Sequence, residues 1–246
     1  MKIIGCIIAR TWSKRLPKKV LRDIHGKTMI EHLIDNIKKV PNIDDIYLCT
    51  SSHPDDRILL KIADNNGIIG YAGSEQSPID RMLDVISTEK ASHVVRITGD
   101  NVFTDAVFLK KMMEEVSKNN KIEYSRTEYL PLGLTAELME SDALKRCYYS
   151  LEPEKSEYLM LYMFNPQEYQ CQVIIPEAAL QAEFSSLTVD TYDDFERTRY
   201  IMDHLSDRSG IYYDDVLKLH HQKSIPHFEI SQDMIVKLPD GKVSSY

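Results

Sequence analysis

The chain has 246 residues, of which 43% are hydrophobic and 28% charged, and its formal net charge is −8. That balance fits one sizeable globular α/β domain, and the acidic excess excludes generic nucleic-acid binding, which needs basic surface to displace counterions. Cys6, Cys49, Cys147 and Cys171 are scattered, with no CxxC pair and no His at zinc spacing, so a structural zinc and a disulfide framework are excluded and a reducing, cytoplasmic setting is expected.

In chain order, Ile3 to Ile8 is an apolar run that reads as a fully buried strand. It ends at Arg10, too early for a signal peptide or membrane span, and none is expected later. A turn closes at Gly26, and Thr28 caps a predicted helix from Met29 to Lys39 whose apolar stripe is Met29, Leu33, Ile34 and Ile37. Ile46 to Thr50 is the second strand. Pro54 opens a helix through Asn65 that Asn66-Gly67 closes. Ile68 to Ala72 is a third strand, Asp80 to Glu89 an amphipathic helix, His93 to Thr98 a fourth strand and Phe108 to Asn119 a further helix. This β-α alternation with short loops predicts a mostly parallel sheet covered by helices.

Beyond residue 120 the rhythm changes, and about 121–175 is read as a lobe of strands and short helices inserted into the main domain. Ser186 to Val189 is expected to return to a core strand ending at Asp190. Tyr192 to Leu205 reads as a helix, and the tail from Ser224 as a strand or loop over the surface. There are no repeats and no low-complexity linker, so 1–246 is read as a single domain.

Three constellations carry chemistry. Arg10, Lys14, Arg15, Lys18 and Lys19 place five cations in ten positions directly after the first strand. Arg supplies a planar fork of donors and Lys a compact charge, so such a loop can clamp a polyanion. By spacing alone it reads equally as a solvated basic loop, and it lacks the P-loop pattern. Arg96-Ile97-Thr98-Gly99-Asp100-Asn101 puts a carboxylate beside a glycine at a strand's carboxyl end, where it can hold Mg²⁺ on a nucleotide or simply cap a turn. Asp105 follows five residues after Asp100. Thr188-Val189-Asp190-Thr191 repeats the arrangement, with Asp193 and Asp194 in the first turn of the next helix. Two strand-end carboxylates facing a basic loop together favour a metal-nucleotide site. The eight histidines form no ligand cluster, and no Ser has a His and Asp partner set.

These pieces, in this order, resemble the cytidylyltransferases that make CMP-activated sugars. That family includes CMP-sialic acid and CMP-keto-deoxy-octulosonate synthetases, with the spore-coat-polysaccharide branch nearest. The resemblance rests on Ala9-Arg10-x-x-Ser13-x-Arg15-Leu16-Pro17-x-Lys19, Gly73-Ser74 with Asp80-Arg81, Arg96-Ile97-Thr98-Gly99-Asp100, Pro131-x-Gly133 with Glu137, and Thr188-Val189-Asp190-Thr191 with Asp194. It implies a three-layer α/β/α nucleotidyltransferase, akin to the nucleotide-diphospho-sugar transferases, with a mixed, mostly parallel sheet and an inserted lobe that builds a homodimer. By the same resemblance Arg10, Ser13, Arg15 and Lys19 bind the CTP phosphates. Ile8, Ala9, Gly73 and Ser74 read cytosine, and Asp80, Arg81, Thr98 and Gly99 complete the nucleotide site. Asp100 and Asp190 ligate Mg²⁺, and Arg15, Lys19 and Asp100 carry catalysis. Gly133, Glu137 and Glu157 fall on the side of a small-molecule acceptor, with no nucleic-acid or membrane partner implied.

The departures from the family pattern are local. Trp12 stands where Gly is usual, Ala72 where Arg is, Thr135 where Asp is, and Ser186 where Arg is. Ser156-Glu157-Tyr158-Leu159 replaces Arg-Glu-His-Val. Most of these fall where the family holds its acceptor. The reading is transfer of CMP from CTP to a sugar acid or related acceptor in surface-polysaccharide synthesis. Its competitors are a nucleotide-sugar glycosyltransferase, a cytidylyltransferase for a phosphonate or polyol phosphate, and a non-catalytic nucleotide-binding homologue.

Overall fold

The computed structural model describes residues 1–151, 162–182, 184–206 and 210–230, and the backbone of 235–237 and 243–245. Its centre is strand β1 (Ile3–Ile8), which pairs in parallel with β4 (Asp45–Ser51) on one side and β6 (His93–Thr98) on the other. Side chains alternate along these strands, as the pleat requires. Ile3 and Ile7 of β1, Leu48 of β4, and Val95 and Ile97 of β6 enter one core; Ile4, Cys6, Tyr47, Cys49 and Val94 enter the other. Two-faced burial is why these strands read as near-continuous apolar runs.

The first core is closed by α1 (Met29–Ile37), α2 (Arg57–Asn65) and α4 (Ala106–Lys118); the second by α3 (Pro78–Glu89) and α5 (Ser141–Ser150). Helix α1 starts in a capping box, with Thr28 and Glu31 satisfying each other's backbone N–H. Its stripe of Met29, Ile30, Leu33, Ile34 and Ile37 is fully buried, each large aliphatic contributing about 1.5–3 kcal/mol. A small hairpin, β2 (Asp23–Ile24) and β3 (Lys27–Thr28), precedes it. Asp105 is the cap of α4, accepting from Val107 N and Phe108 N, and its other oxygen accepts from Tyr213 N. It therefore serves structure and not a metal.

The seven-stranded sheet has the order β5-β4-β1-β6-β8-β7-β9, with β5 (Ile69–Gly73), β7 (Tyr124–Thr127), β8 (Glu137–Glu140) and β9 (Cys171–Ile174) completing it. The pairings β1–β4, β1–β6, β4–β5 and β7–β9 are parallel; β6–β8 and β7–β8 are antiparallel. The region read as an inserted lobe thus supplies three strands to the main sheet. After β1 the chain turns toward β4, whereas after β6 it turns toward β8 and β7. The carboxyl ends of β1 and β6 therefore flank a topological switch point, the position where open α/β sheets bind ligands.

A third core beyond that edge joins α6 (Tyr192–Leu205) and α7 (Tyr213–Lys223) to Phe103, Phe108, Leu187 and Val189. Residues 186–189, expected as a core strand, form only isolated bridges, Leu132 with Ser186 and Ser185 with Glu229. Their backbone N–H groups go to neighbouring loops instead, Ser186 N to Phe228 O, Leu187 N and Thr188 N to Leu132 O, and Val189 N to Asp100 O. The tail contributes a separate two-stranded ribbon, β10 (Ile235–Lys237) against β11 (Val243–Ser245). Among the described residues no helix is long and apolar enough to cross a membrane.

Candidate active site

The basic loop leaves β1 at the switch point and is tied down from below. Thr11 donates both its N–H and its hydroxyl to Asp56 Oδ1, each at 2.7 Å, and Ser51 donates to the other Asp56 oxygen. Burial works against the Asp56 charge, but the bonds from Ser51 and Thr11 outweigh it and hold the carboxyl below its usual range. Lys18 N donates to Thr11 O at 3.1 Å, and Leu16 is buried. These bonds leave Arg10, Lys14, Arg15 and Lys18 exposed on the loop. Trp12 is 59% exposed, with the Arg10 guanidinium 5.1 Å and the Lys14 ammonium 5.8 Å from its ring centroid.

Opposite the loop stand the two carboxylates. Gly99 lets the end of β6 approach β1: a Cβ there would lie 2.7 Å from the Ala9 Cβ. Gly99 N donates to Ile8 O at 2.8 Å, which fixes Asp100 beside the loop. Asp190 arrives from far along the chain. Leu187 N and Thr188 N donate to Leu132 O, and Val189 N donates to Asp100 O at 3.1 Å. Arg197, 1% exposed, donates to Thr188 O and to His227 O and pairs with Asp194 at 2.8 Å. Asp194 in turn accepts from the backbone of Asp190 and Thr191, while Thr191 caps α6.

The result is a four-membered ionic cluster. Lys19 Nζ is 2.6 Å from Asp100 Oδ2 and 2.8 Å from Asp190 Oδ1, and Arg15 Nη2 is 2.8 Å from the same Asp190 oxygen. Burial disfavours the charge on Lys19, yet the pull of Asp100 and the hydrogen bonds to both carboxylates overcome it and raise its pKa. This cluster borders a cavity of about 690 Å³ lined by Ile8, Ala9, Arg10, Trp12, Ser13, Lys14, Arg15, Lys19, Arg81, Thr98, Gly99, Asp100 and Asp190, with Arg96 at its far wall.

Three residues read as nucleotide-binding sit otherwise than expected. Gly73 and Ser74 lie behind the wall, where Arg81 Nε donates to Ser74 O at 2.8 Å; Gln76, Pro78 and Arg81 form the surface itself. The Asp80 carboxylate turns away from the cavity and accepts from the Tyr148 hydroxyl. On the other side of Arg96 a second cavity, of about 350 Å³, contains Gly133 and Glu137, with Asn101, Arg126 and Thr127. Arg96 Nη1 lies 2.6 Å from Glu137 Oε2, and Arg126 pairs with Glu128. Glu157 lies outside the described residues.

Asp100 and Asp190 are the carboxylates a divalent cation would use. Among the described residues no group of three or more His, Cys, Asp or Glu could hold one by itself. The donor set suits Mg²⁺, which is commonly held by one or two carboxylates plus substrate phosphates. Sequence reasoning missed Asp56, Arg197 and the dual role of Arg96. Asp56 and Arg197 fall inside predicted helical stretches where nothing local marks them; the one local signal for Arg197 is its spacing three residues after Asp194.

A mixed, mostly parallel sheet whose switch-point cavity sets a basic loop against two carboxylates defines a nucleotidyltransferase type of site. The pattern of the cytidylyltransferase family matches residues 4–210, so the chain belongs to that family and is a CTP-dependent nucleotidyltransferase. It is 34% identical over 198 residues to the uncharacterized protein MJ1063 of Methanocaldococcus jannaschii, covering 80% of this chain and 81% of that one. It is 28% identical over 224 residues to the spore coat polysaccharide biosynthesis protein SpsF of Bacillus subtilis, covering 88% and 93%. In fold it is similar to a solved cytidylyltransferase from Leptospira borgpetersenii, with a TM-score of 0.85 at 23% identity over 92% of this chain and 97% of that one.

Proposed function

We propose that this protein transfers CMP from CTP to a sugar acid or related hydroxyl-bearing acceptor and releases pyrophosphate. The observation that carries this reading is the ion cluster: cations that suit a leaving diphosphate are in direct contact with two carboxylates on the lining of one cavity, and a second polar cavity opens beside it. The name of the Bacillus subtilis relative favours an acceptor used in polysaccharide biosynthesis.

In this reading CTP lies along the larger cavity with its base toward Arg81 and its β- and γ-phosphates in the basic loop. Arg10, Ser13, Arg15 and Lys19 bind the phosphates, and Ile8, Ala9, Thr98 and Gly99 line the nucleoside. The acceptor enters beside Gly133 and Glu137, with Arg96 between the two substrates. Its hydroxyl attacks the α-phosphorus in line as the bond to the β-phosphate oxygen breaks. Arg15 and Lys19 take the charge that develops on the pyrophosphate. Asp100 and Asp190 would hold Mg²⁺, which would supply neutralisation of the α-phosphate charge. Little covalent chemistry falls to the protein, so positioning and fixed charge account for most of the acceleration. We include in this reading a homodimer contact within 121–175.

The test is pyrophosphate release from a nucleoside triphosphate panel with Mg²⁺ and candidate sugar acids. Release is expected with CTP and only when a productive acceptor is present. Asp100→Asn should lower turnover by about 10²-fold or more, the scale seen when one preorganised electrostatic contact is removed. Near-normal turnover in Asp100→Asn would overturn the metal assignment.

A further inference from the structure

The cations that would hold the leaving diphosphate are the same ones that hold the carboxylates. Lys19 Nζ bridges Asp100 Oδ2 and Asp190 Oδ1, and Arg15 Nη2 takes that same Asp190 oxygen. The Lys19 side chain is only 13% exposed, whereas that of Arg15 is 63% exposed. Lys19 is thus the inner, well-sheltered partner of the pair. A divalent cation that is to use both carboxylates has to take these oxygens from an ammonium already in charge-assisted contact with them. A cation approaching the remaining carboxylate oxygens meets the Lys19 charge at close range, with Arg15 behind it.

The protein also offers too few ligands to win that competition alone. Two carboxylates are a partial shell for a cation that takes six oxygens, and among the described residues no third acidic or imidazole ligand joins them. A triphosphate changes both sides of the balance. It gives Lys19 and Arg15 oxygens of higher charge to bind, and it brings phosphate ligands that complete the cation's shell.

We propose that Lys19 is the resident counter-ion of the Asp100–Asp190 pair and makes metal entry conditional on nucleotide. Free divalent cation binds poorly, and the cation enters with the triphosphate as Lys19 passes from carboxylates to phosphates. Lys19 is then a positioning residue before it is a phosphate ligand. Because coupling between two ligands is reciprocal, the cation strengthens nucleotide binding by the same factor by which nucleotide strengthens cation binding. Until substrate arrives, the resident Lys19 ammonium also offsets the repulsion between two carboxylates on separate segments. This inference rests on the assignment of Asp100 and Asp190 as metal ligands.

The experiment measures Mn²⁺ binding to nucleotide-free protein by the loss of the free-ion electron paramagnetic resonance signal. Thermal melts with and without MnCl₂ are run in parallel. Wild type should bind weakly and show no MnCl₂-dependent melting shift. Lys19→Met should bind Mn²⁺ at least ~10-fold more tightly, since a charge-assisted contact no longer competes. It should melt lower than wild type and be restored by MnCl₂ alone. Lys19→Arg, which keeps the charge and guards against a simple packing defect, should behave as wild type. Lys19→Met with Asp190→Asn should lose the gain.

Unchanged nucleotide-free Mn²⁺ affinity in a folded Lys19→Met protein would overturn the inference. So would tight nucleotide-free binding by wild type. The underlying metal assignment is tested separately: if Asp190→Asn leaves the MnCl₂-dependent part of the CTP-induced melting shift intact, that assignment fails whatever Lys19 does.

Discussion

The two cavities that meet at Arg96 hold their charge differently. On the nucleotide side Arg10 and Lys14 have no carboxylate partner among the described residues and rest against the Trp12 ring, while Lys19 and Arg15 share Asp190 and Lys19 also takes Asp100. On the acceptor side the guanidinium groups are matched one to one, Arg96 with Glu137 and Arg126 with Glu128. Burial lowers the affinity of Arg96 for its proton, but the Glu137 pair more than compensates. A cavity with surplus cations recognises a polyanion by net charge and tolerates loose geometry. A cavity whose charges are already paired recognises its ligand by the arrangement of donors and acceptors. Under the proposed function, the nucleotide half would suit any member of a family that shares one triphosphate, and the acceptor half would set what differs between members.

The two halves are not independent, and Gly133 ties the second cavity to the segment that carries Asp190. It has a φ of +83°, and a Cβ there would sit 2.5 Å from Thr188 N. Thr188 leads directly into Asp190. Gly133→Ala should strain the turn and push that segment, at a cost of about 1–3 kcal/mol in stability. Turnover should fall by roughly 10²-fold, because displacements near 1 Å at reacting groups carry that effect. Steady-state kinetics with both substrates varied would check it. A rise in acceptor KM with kcat intact would mean that the cavities work separately after all.

The next effect is confined to the nucleotide half. Asp56 is buried and holds Thr11, and its folded-state pKa is depressed by the bonds from Ser51 and Thr11. Its stabilising contribution is therefore fully present above the ordinary carboxylate pKa of about 4, and it is lost as pH falls through the lower folded value. Asp56→Asn should destabilise the protein by about 1–3 kcal/mol at neutral pH, as for a broken buried charged hydrogen bond. CTP affinity should drop by about 10-fold, equal to about 1.4 kcal/mol, with little change in acceptor KM. In thermal melts, the gap between wild type and Asp56→Asn should narrow as pH is taken from 6 toward 3. A gap that stays constant would show that Asp56 is not acting as an ionised anchor.

The contrast between the halves also governs what could be read from the chain. The nucleotide half is local: β1 and the loop after it are contiguous, and the β6 end carries its glycine and acid side by side, so periodicity and charge spacing placed Arg15, Lys19 and Asp100 near one another. The strands β1, β4 and β6 were legible because two-faced burial makes them near-continuous apolar runs, interrupted in β6 by Arg96. Asp190 was located by its motif, but its support was not. The segment before it is held by Leu132, Asp100 and Arg197 and not by a sheet ladder. The acceptor half draws on β7, the 131–134 turn, β8 and Phe184, pieces brought together by long-range pairing that no local pattern encodes. Asp80 misled for the opposite reason. Its place in the first turn of α3 is legible, but its partner Tyr148 lies on another helix.

The smallest effect belongs to Trp12, the chain's one tryptophan. Its ring stands over the cavity mouth with Arg10 and Lys14 against it. At 59% exposure such a cation–π contact is worth about 0.5–1 kcal/mol. The ring contacts Arg10 without neutralising its charge, which a carboxylate partner would do. Because Trp12 is the sole indole, its fluorescence reports the loop directly. CTP with Mg²⁺ should change that emission, and an acceptor alone should not. Trp12→Gly should weaken CTP binding about 2–5-fold, the free-energy range of the exposed contact, and leave acceptor KM unchanged. If CTP binding instead tightens on removal of the indole, Trp12 obstructs the phosphates, and the surplus of cations on this side must then compensate for a partly blocked cavity.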